Sequence, residues 1–234
     1  MDKKIEGIRP VIDRMRACSG APGLVVGIIK DYNDYKYYFG CRDVEKEYSI
    51  DENTMFHIGS LTKSMTAAAL GILVDQEKLK WSTPVHEILP EMSKDTEIYR
   101  ARLTVVDILS HRTGKAWSDA LYLQSNNRIL LNKDQSIQTF DSLPQVASVR
   151  EKYMYNHAYN IAGLVIEKVS GMSGTEFVTK NIFEPLKMNR TMTHHPKGDD
   201  NVAVPYNILP NREPWKLPPC NVSGETSMFA GQSV

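Results

Sequence analysis

Apolar residues recur at Ile5, Ile8, Val11, Ile12 and Met15, a spacing that predicts a helix over residues 3–17. Pro10 lies inside the pattern and leaves its boundary open, because proline lacks the N–H a helix interior needs. Gly20 and Pro22 break the chain, and the β-branched run from Leu24 to Ile29 reads as a buried strand. The aromatic-rich segment from Tyr35 to Cys41 reads as its hairpin partner, with the turn at Asp31 to Asp34. Residues 60–75 carry one apolar stripe of Met65, Ala68, Ala69, Ile72 and Leu73, predicting a second helix. Thr104 and Asp107 form the ends of a capping box that opens a short helix stopping at Gly114. Residues 115–150 are polar and irregular. Tyr159 to Val169 is amphipathic and ends at Gly171; Ser173 and Glu176 then cap a helix reaching Phe183, before Pro185. Beyond Met188, Pro, Asn and Gly predominate and no long element is predicted.

Two strands and a helix therefore come first, then a mainly helical stretch, then a loop-rich tail. A lone two-stranded hairpin is marginal in water, so this order asks for further strands. With 234 residues the chain fits one large domain or two small ones. Its 28 basic and 28 acidic side chains cancel, which argues against a nucleic-acid partner, whose phosphates demand a basic surplus. The longest apolar run, Ala67 to Val74, is far short of the roughly 20 residues of a membrane helix. The start, Met1-Asp2-Lys3-Lys4, leads into no hydrophobic core region, so no signal peptide is expected. Three widely spaced cysteines, Cys18, Cys41 and Cys220, then read as reduced thiols in a cytoplasmic protein. His194-His195 is the one histidine pair, but adjacent side chains diverge, and no metal site is expected.

The chemistry concentrates at Ser60-Leu61-Thr62-Lys63, a S-x-x-K tetrad at the start of the second helix. Residues three apart share a helix face, so a hydroxyl and an amine come together there. A serine nucleophile needs a neighbouring base, and unpaired N–H groups at a helix start stabilise developing negative charge. The same tetrad also fits a serine N-cap followed by a solvated lysine, and spacing alone does not separate the two readings.

The wider segment Phe56-His57-Ile58-Gly59-Ser60-Leu61-Thr62-Lys63-Ser64 resembles the active-site segment of the serine β-lactamase-like superfamily. That group includes class C β-lactamases, D-alanyl-D-alanine carboxypeptidases, esterases, and fungal hydrolases and acyltransferases of secondary metabolism. Pro22 to Gly27 resembles its first strand, Leu103 to Gly114 its helical-domain signature, and Ala162 to Gly171 and Ile182 to Met188 two further segments, all in the family's order. The resemblance implies a β-lactamase/transpeptidase-like fold, α/β plus helical. Residues 1–80 would be the N-terminal part of the α/β domain with the active-site helix, 81–200 a mainly helical domain, and 201–234 a loop-rich segment.

The family's second motif, Tyr-x-Asn, has its counterpart in Tyr153-Met154-Tyr155-Asn156-His157-Ala158-Tyr159, which is one residue short. Aligned from the left, Tyr155 takes the tyrosine position and His157 that of the asparagine. Aligned from Tyr159, Met154 and Asn156 take them. The resemblance implies Ser60 as nucleophile, Lys63 and Tyr155 as the proton-handling pair, and Asn156 and His157 as substrate-binding residues. A one-residue deletion could rotate Tyr155 away from Ser60. The third motif, Lys or His followed by a small residue and Gly, finds only Arg112-Thr113-Gly114, which sits too early and reads as a helix stop. The tail Met228 to Val234 resembles the run entering a later helix, so the final strands, the third motif and one oxyanion-hole N–H would lie beyond it. Removing one such donor costs about 3–4 kcal/mol of transition-state stabilisation.

These readings imply a serine hydrolase or acyltransferase acting, without a cofactor, on a small-molecule ester, thioester or amide, with secondary metabolism as the setting. The alternative is a truncated, catalytically inactive member or a binding remnant. The unfinished sheet would leave an exposed edge and apolar face, so low stability is expected unless a partner chain completes it.

Overall fold

The computed structural model describes residues 2–92, 102–122 and 127–220, together with 222, 229 and 231. Apart from Phe229 and Gly231, the tail singled out above lies outside the described residues. Contacts divide the chain into two units, Met1–Phe56 with Lys197–Pro219, and His57–Pro196 with Cys220–Val234. The helix that carries the S-x-x-K tetrad falls in the second, where the sequence division groups it with the first strands.

In the first unit, helix α1 (Asp2–Ser19) runs through Pro10 without ending. Strands β1 (Gly23–Lys30) and β2 (Asn33–Asp43) pair antiparallel from Gly23 opposite Gly40 to Lys30 opposite Asn33. Their turn is only Asp31-Tyr32, both at positive φ (51° and 60°), a two-residue hairpin loop whose twist matches that of the strands. Asn33 and Asp34, read as turn in the sequence, are already paired. A short strand β3 (Tyr48–Ser49) adds to β2 on its other side. Alternation puts Leu24, Val26 and Ile28 on one face, where they meet Ile5, Ile12, Tyr37 and Phe39. Arg9 lies over the Phe39 ring and donates to the Tyr38 carbonyl, fastening α1 to β2. On the other face Val25 is half-exposed and Ile29 is 83% exposed. Among the described residues no strand pairs with the outer edge of β1. The returning segment joins through Met55, which bridges Val202 in parallel, and ends in a small hairpin, β4 (Tyr206–Ile208) with β5 (Pro214–Lys216).

The second unit is helical and holds the larger core. Helix α2 (Thr62–Asp75) buries Leu70 and Leu73 completely. Next come α3 (Val85–Ile88), α4 (Val105–Leu109), α5 (Asp119–Tyr122), α6 (Ser136–Ser142), α7 (Ala158–Ser170) and α8 (Gly174–Val178). Ile161, Val165 and Ile166 of α7, Val105 and Ile108 of α4, and Phe140 and Phe177 belong to the same cluster. Truncating a side chain such as Leu70 to alanine in such packing costs about 3 kcal/mol.

The stripe expected on α2 is rotated. Thr62 and Thr66 are buried with Ala69, Leu70 and Leu73, while Met65 and Ile72 are only partly covered. Thr66 tolerates burial because its hydroxyl donates to the Phe229 carbonyl at 2.9 Å. The Phe229 ring fills a slot that a Cβ on Gly163 or Gly174 would occupy, at 2.1 and 1.9 Å from ring atoms. Three local signals appear as expected: the Thr104–Asp107 box, the Ser173–Glu176 box, and Gly171 in the left-handed conformation (φ 72°) ending α7. Two helices are shorter than expected. The one opened by Thr104 stops at Leu109, and the one opened by Ser173 gives way at Thr179–Phe183 to a wider π turn.

Candidate active site

Ser60 lies just ahead of α2. Gly59 takes φ 52°, and the next backbone bonds are tight: Thr62 N–H to Gly59 O and Lys63 N–H to Ser60 O, each 3.1 Å. This turn stacks Lys63 above Ser60, and the Lys63 Nζ donates to Ser60 Oγ at 3.1 Å. The N-cap position belongs to Leu61, and no side-chain capping bond is made there. Ser60 Oγ is therefore not a helix cap. It is exposed, and its other partner is the Tyr155 hydroxyl at 2.6 Å.

Tyr155 comes from a segment without regular structure, so tertiary bonds must hold it. Upstream, Arg150 (φ 71°) grips the Asp107 carboxylate with two bonds of 2.8 Å, and its N–H donates to the Arg112 carbonyl. Burial would push the Asp107 carboxyl up, but hydrogen bonds from Arg150 and Thr104 together outweigh it and hold the group below the usual carboxylate range. Next to Tyr155, Met154 N–H donates to His111 O at 2.7 Å. The His111 ring lies 4.5 Å from the Tyr155 ring and 5.2 Å from that of Tyr159. The Lys63 Nζ completes the group, 4.8 Å above the Tyr155 ring and 5.5 Å above the Tyr159 ring. Tyr159 spends its hydroxyl on Leu109 O, and burial, with the neighbouring Tyr153 and Tyr155, pushes its phenol up, so it stays protonated at neutral pH.

The two possible alignments of the short tyrosine motif are thereby separated in space. Tyr155, not Met154, meets Ser60. Asn156, proposed from sequence for the substrate, is 1% exposed, and its side chain is committed to the protein itself. Its amide donates to Thr113 Oγ1 at 3.0 Å and to Lys115 O at 3.3 Å, and its oxygen accepts the Ala158 N–H at 3.0 Å. His157 is also buried, its ring stacked on Tyr122 at 4.2 Å. Ser60, Lys63 and Tyr155 are thus brought together, while Asn156 and His157 lie behind them.

Arg112-Thr113-Gly114 forms part of this backing. Gly114 (φ 74°) passes so close to Ala147 that a Cβ would sit 2.2 Å from its carbonyl oxygen, and Thr113 is fully buried. Lys115 is buried too, its Nζ on the Asp141 and Leu143 carbonyls at the end of α6. Sequence reasoning missed His111, hidden inside what reads as a helix stop. It also missed the partner of His195, which is His57 rather than His194. The two rings stack within 5° of parallel, with nitrogens 3.3 Å apart. Burial first, and then a second histidine (His195 for His57, His194 for His195), holds both below the ordinary imidazole value. No group of three or more metal-binding side chains occurs among the described residues.

The sequence model of the family described as Beta-lactamase matches residues 8–230. The chain is 30% identical over 183 residues to the unguisins hydrolase ungD of Aspergillus violaceofuscus, covering 73% of this chain and 31% of that protein. It is 29% identical over 196 residues to penicillin-binding protein 4* of Bacillus subtilis, covering 79% and 41%. Among solved structures it is similar to the octameric penicillin-binding protein homologue of Pyrococcus abyssi, with a TM-score of 0.80 and 26% identity over 95% of this chain and 52% of that one. The chain thus spans well under half the length of these curated relatives.

Proposed function

The chain belongs to the Beta-lactamase family and has its β-lactamase/transpeptidase-like fold, and on that premise we propose that it is an acyl-serine enzyme with Ser60 as nucleophile. The observation that carries the proposal is the contact of one exposed hydroxyl, Ser60 Oγ, with both Tyr155 (2.6 Å) and Lys63 (3.1 Å). Both distances are within the reach that proton transfer needs.

In the proposed reaction Tyr155 acts as a phenolate, its own proton having gone to Lys63, and Ser60 Oγ bonds to the acyl carbon as the serine proton passes to the Tyr155 oxygen. Lys63, with its Nζ 3.1 Å from Ser60 Oγ and over the Tyr155 ring, holds that phenolic proton and faces the charge of the phenolate. The carbonyl oxygen becomes an anion at the start of α2, where the Ser60 N–H has no acceptor among the described residues. Collapse breaks the bond to the leaving group, which takes the proton back from Tyr155. Water then attacks the acyl-serine, giving an acid, or an alcohol does so, giving a new ester; either way Ser60 is regenerated. We assign a small-molecule ester, thioester or amide of secondary metabolism as substrate, supported by the name of the Aspergillus relative, an unguisins hydrolase. Asn156 is given a positioning role, since its amide is spent on Thr113 and Lys115.

A fluorophosphonate probe tests the proposal, read as intact mass on the full chain. A single adduct on the parent and none on Ser60→Ala is expected, with Tyr155→Phe and Lys63→Met labelled at least about 100-fold more slowly. A folded parent that takes no probe, or a Ser60→Ala chain labelled equally, sustains the inactive-remnant reading instead.

A further inference from the structure

His111 has no part in the reaction as written, yet three tyrosines surround its buried ring. Tyr155 lies at 4.5 Å, Tyr159 at 5.2 Å and Tyr153 at 5.6 Å. His111 is 6% exposed, and its positive φ of 54° is the left-handed conformation that closes α4, with the Arg112 N–H donating to Asp107 O at 3.0 Å. It touches the segment bearing Tyr155 in three ways. Its carbonyl accepts the Met154 N–H, its ring lies against the Tyr155 ring, and its Nδ1 accepts the Asn156 N–H at 3.4 Å. Residues 154, 155 and 156 are thus all held by one side chain and its own backbone.

An acceptor at Nδ1 has consequences for the proton. An imidazole nitrogen accepts only when it carries none, so Nδ1 is bare and the ring proton of the neutral form sits on Nε2. A second proton would go to Nδ1, turn it into a donor, and set it against the Asn156 N–H. It would also add a cation to a cluster that already contains Lys63, which lies over the Tyr155 and Tyr159 rings. Among the described residues, Tyr153 and Tyr155 on the held segment and Tyr159 on α7 lie against the His111 ring, with Lys63 of α2 beyond the latter two.

We propose that His111 is a positioning residue that holds Tyr155 against Ser60 only while its imidazole is neutral, releasing the segment when it is protonated. The proposal rests on the acyl-serine reading for its catalytic consequence, but its structural half stands apart. Acid would then act on the site twice, once on the proton-accepting pair and once on the group that positions it.

Two measurements on the full chain test it. The first is independent of chemistry: nitrogen-15 NMR of the histidine rings with amide exchange, from about pH 8 to about pH 5. The expected result is a neutral Nε2–H tautomer for His111, with protection of the Asn156 amide lost as that ring takes up its proton. An Nδ1–H tautomer, or an Asn156 amide indifferent to the titration, overturns the proposal. The second is the pH dependence of fluorophosphonate labelling at Ser60 in the parent and in His111→Asn, whose side-chain oxygen replaces Nδ1 as acceptor but does not titrate. The parent's rate should fall on acidification more steeply than the roughly tenfold per pH unit of one ionisation. His111→Asn should label several-fold more slowly at the alkaline end, having lost the ring packing, and fall no more steeply than one ionisation allows. An equally steep fall in the two chains overturns the catalytic role. A parent that takes no probe defeats the acyl-serine reading and any catalytic part for His111, while the tautomer and exchange data still decide whether it holds the segment.

Discussion

The two sides of the candidate site are built by different means. Ser60 and Lys63 stand three residues apart at the opening of α2, where helical geometry alone brings hydroxyl and amine within 3.1 Å. Tyr155 arrives from 95 residues away on a segment with no helix or strand of its own. That segment is held by the Asp107–Arg150 pair, by His111 and by the buried amide of Asn156. A local pair is robust because one element supplies both partners. A partner delivered by a loop is only as well placed as its clamps, and four residues outside the reacting group must be right at once.

The largest break in this comparison is expected from Asp107→Ala. The carboxylate is almost fully buried and takes two bonds from Arg150 and two from Thr104. Removing it strands those donors, with an expected cost of about 3 kcal/mol in urea unfolding. Ser60 labelling should fall further than the unfolded fraction explains. A labelling rate that tracks stability alone would show that the clamp does not set Tyr155. Asn156→Ala should cost about 2 kcal/mol, because Lys115 O and Ala158 N–H lose a buried partner, and it too should slow labelling in the folded protein.

Acid provides a finer probe of the same clamp. The folded Asp107 carboxyl is held below its unfolded value, so its contribution to stability is full above that value, about 3.9, and is lost as pH falls through the lower folded value. Stability should therefore decline on acidification in that range, and Asp107→Asn should flatten this part of the profile. The smallest effect sharpens the contrast from the other side. Ser173→Ala removes the oxygen that accepts the Glu176 N–H at the start of α8, with an expected cost of about 1 kcal/mol. It touches neither half of the site, so labelling per folded molecule should stay at the parent rate.

Much of the fold could be read directly from residue order because the rules concerned are local. The β-branched run of β1 and the aromatic-rich run of β2 announced the hairpin, and the Thr104–Asp107 and Ser173–Glu176 boxes each rest on bonds spanning three residues. The left-handed Gly171 is equally local, as is the S-x-x-K pair. The hairpin turn was misplaced by two residues, because Asn33 and Asp34 look like turn residues and only the strand register shows them paired. Helix ends at Leu109 and Val178 were missed because no glycine marks them: a left-handed His111 closes the first, and the second runs on as a π turn over Thr179–Phe183.

What the residue order determined by itself was that Ser60 and Lys63 share a face at a helix start, since 3.6 residues per turn permits nothing else. Only the tertiary structure decided which residue of the short tyrosine motif meets them. Tyr155 and Met154 are neighbours in sequence, and a one-residue ambiguity cannot be resolved by composition or spacing. It is resolved by His111, Thr113 and Lys115, which bind residues 154 and 156 from the far side and leave the Tyr155 hydroxyl 2.6 Å from Ser60. Those three lie some 40 residues earlier in the chain. Bonds across that separation depend on how the intervening segments pack, which no local pattern records.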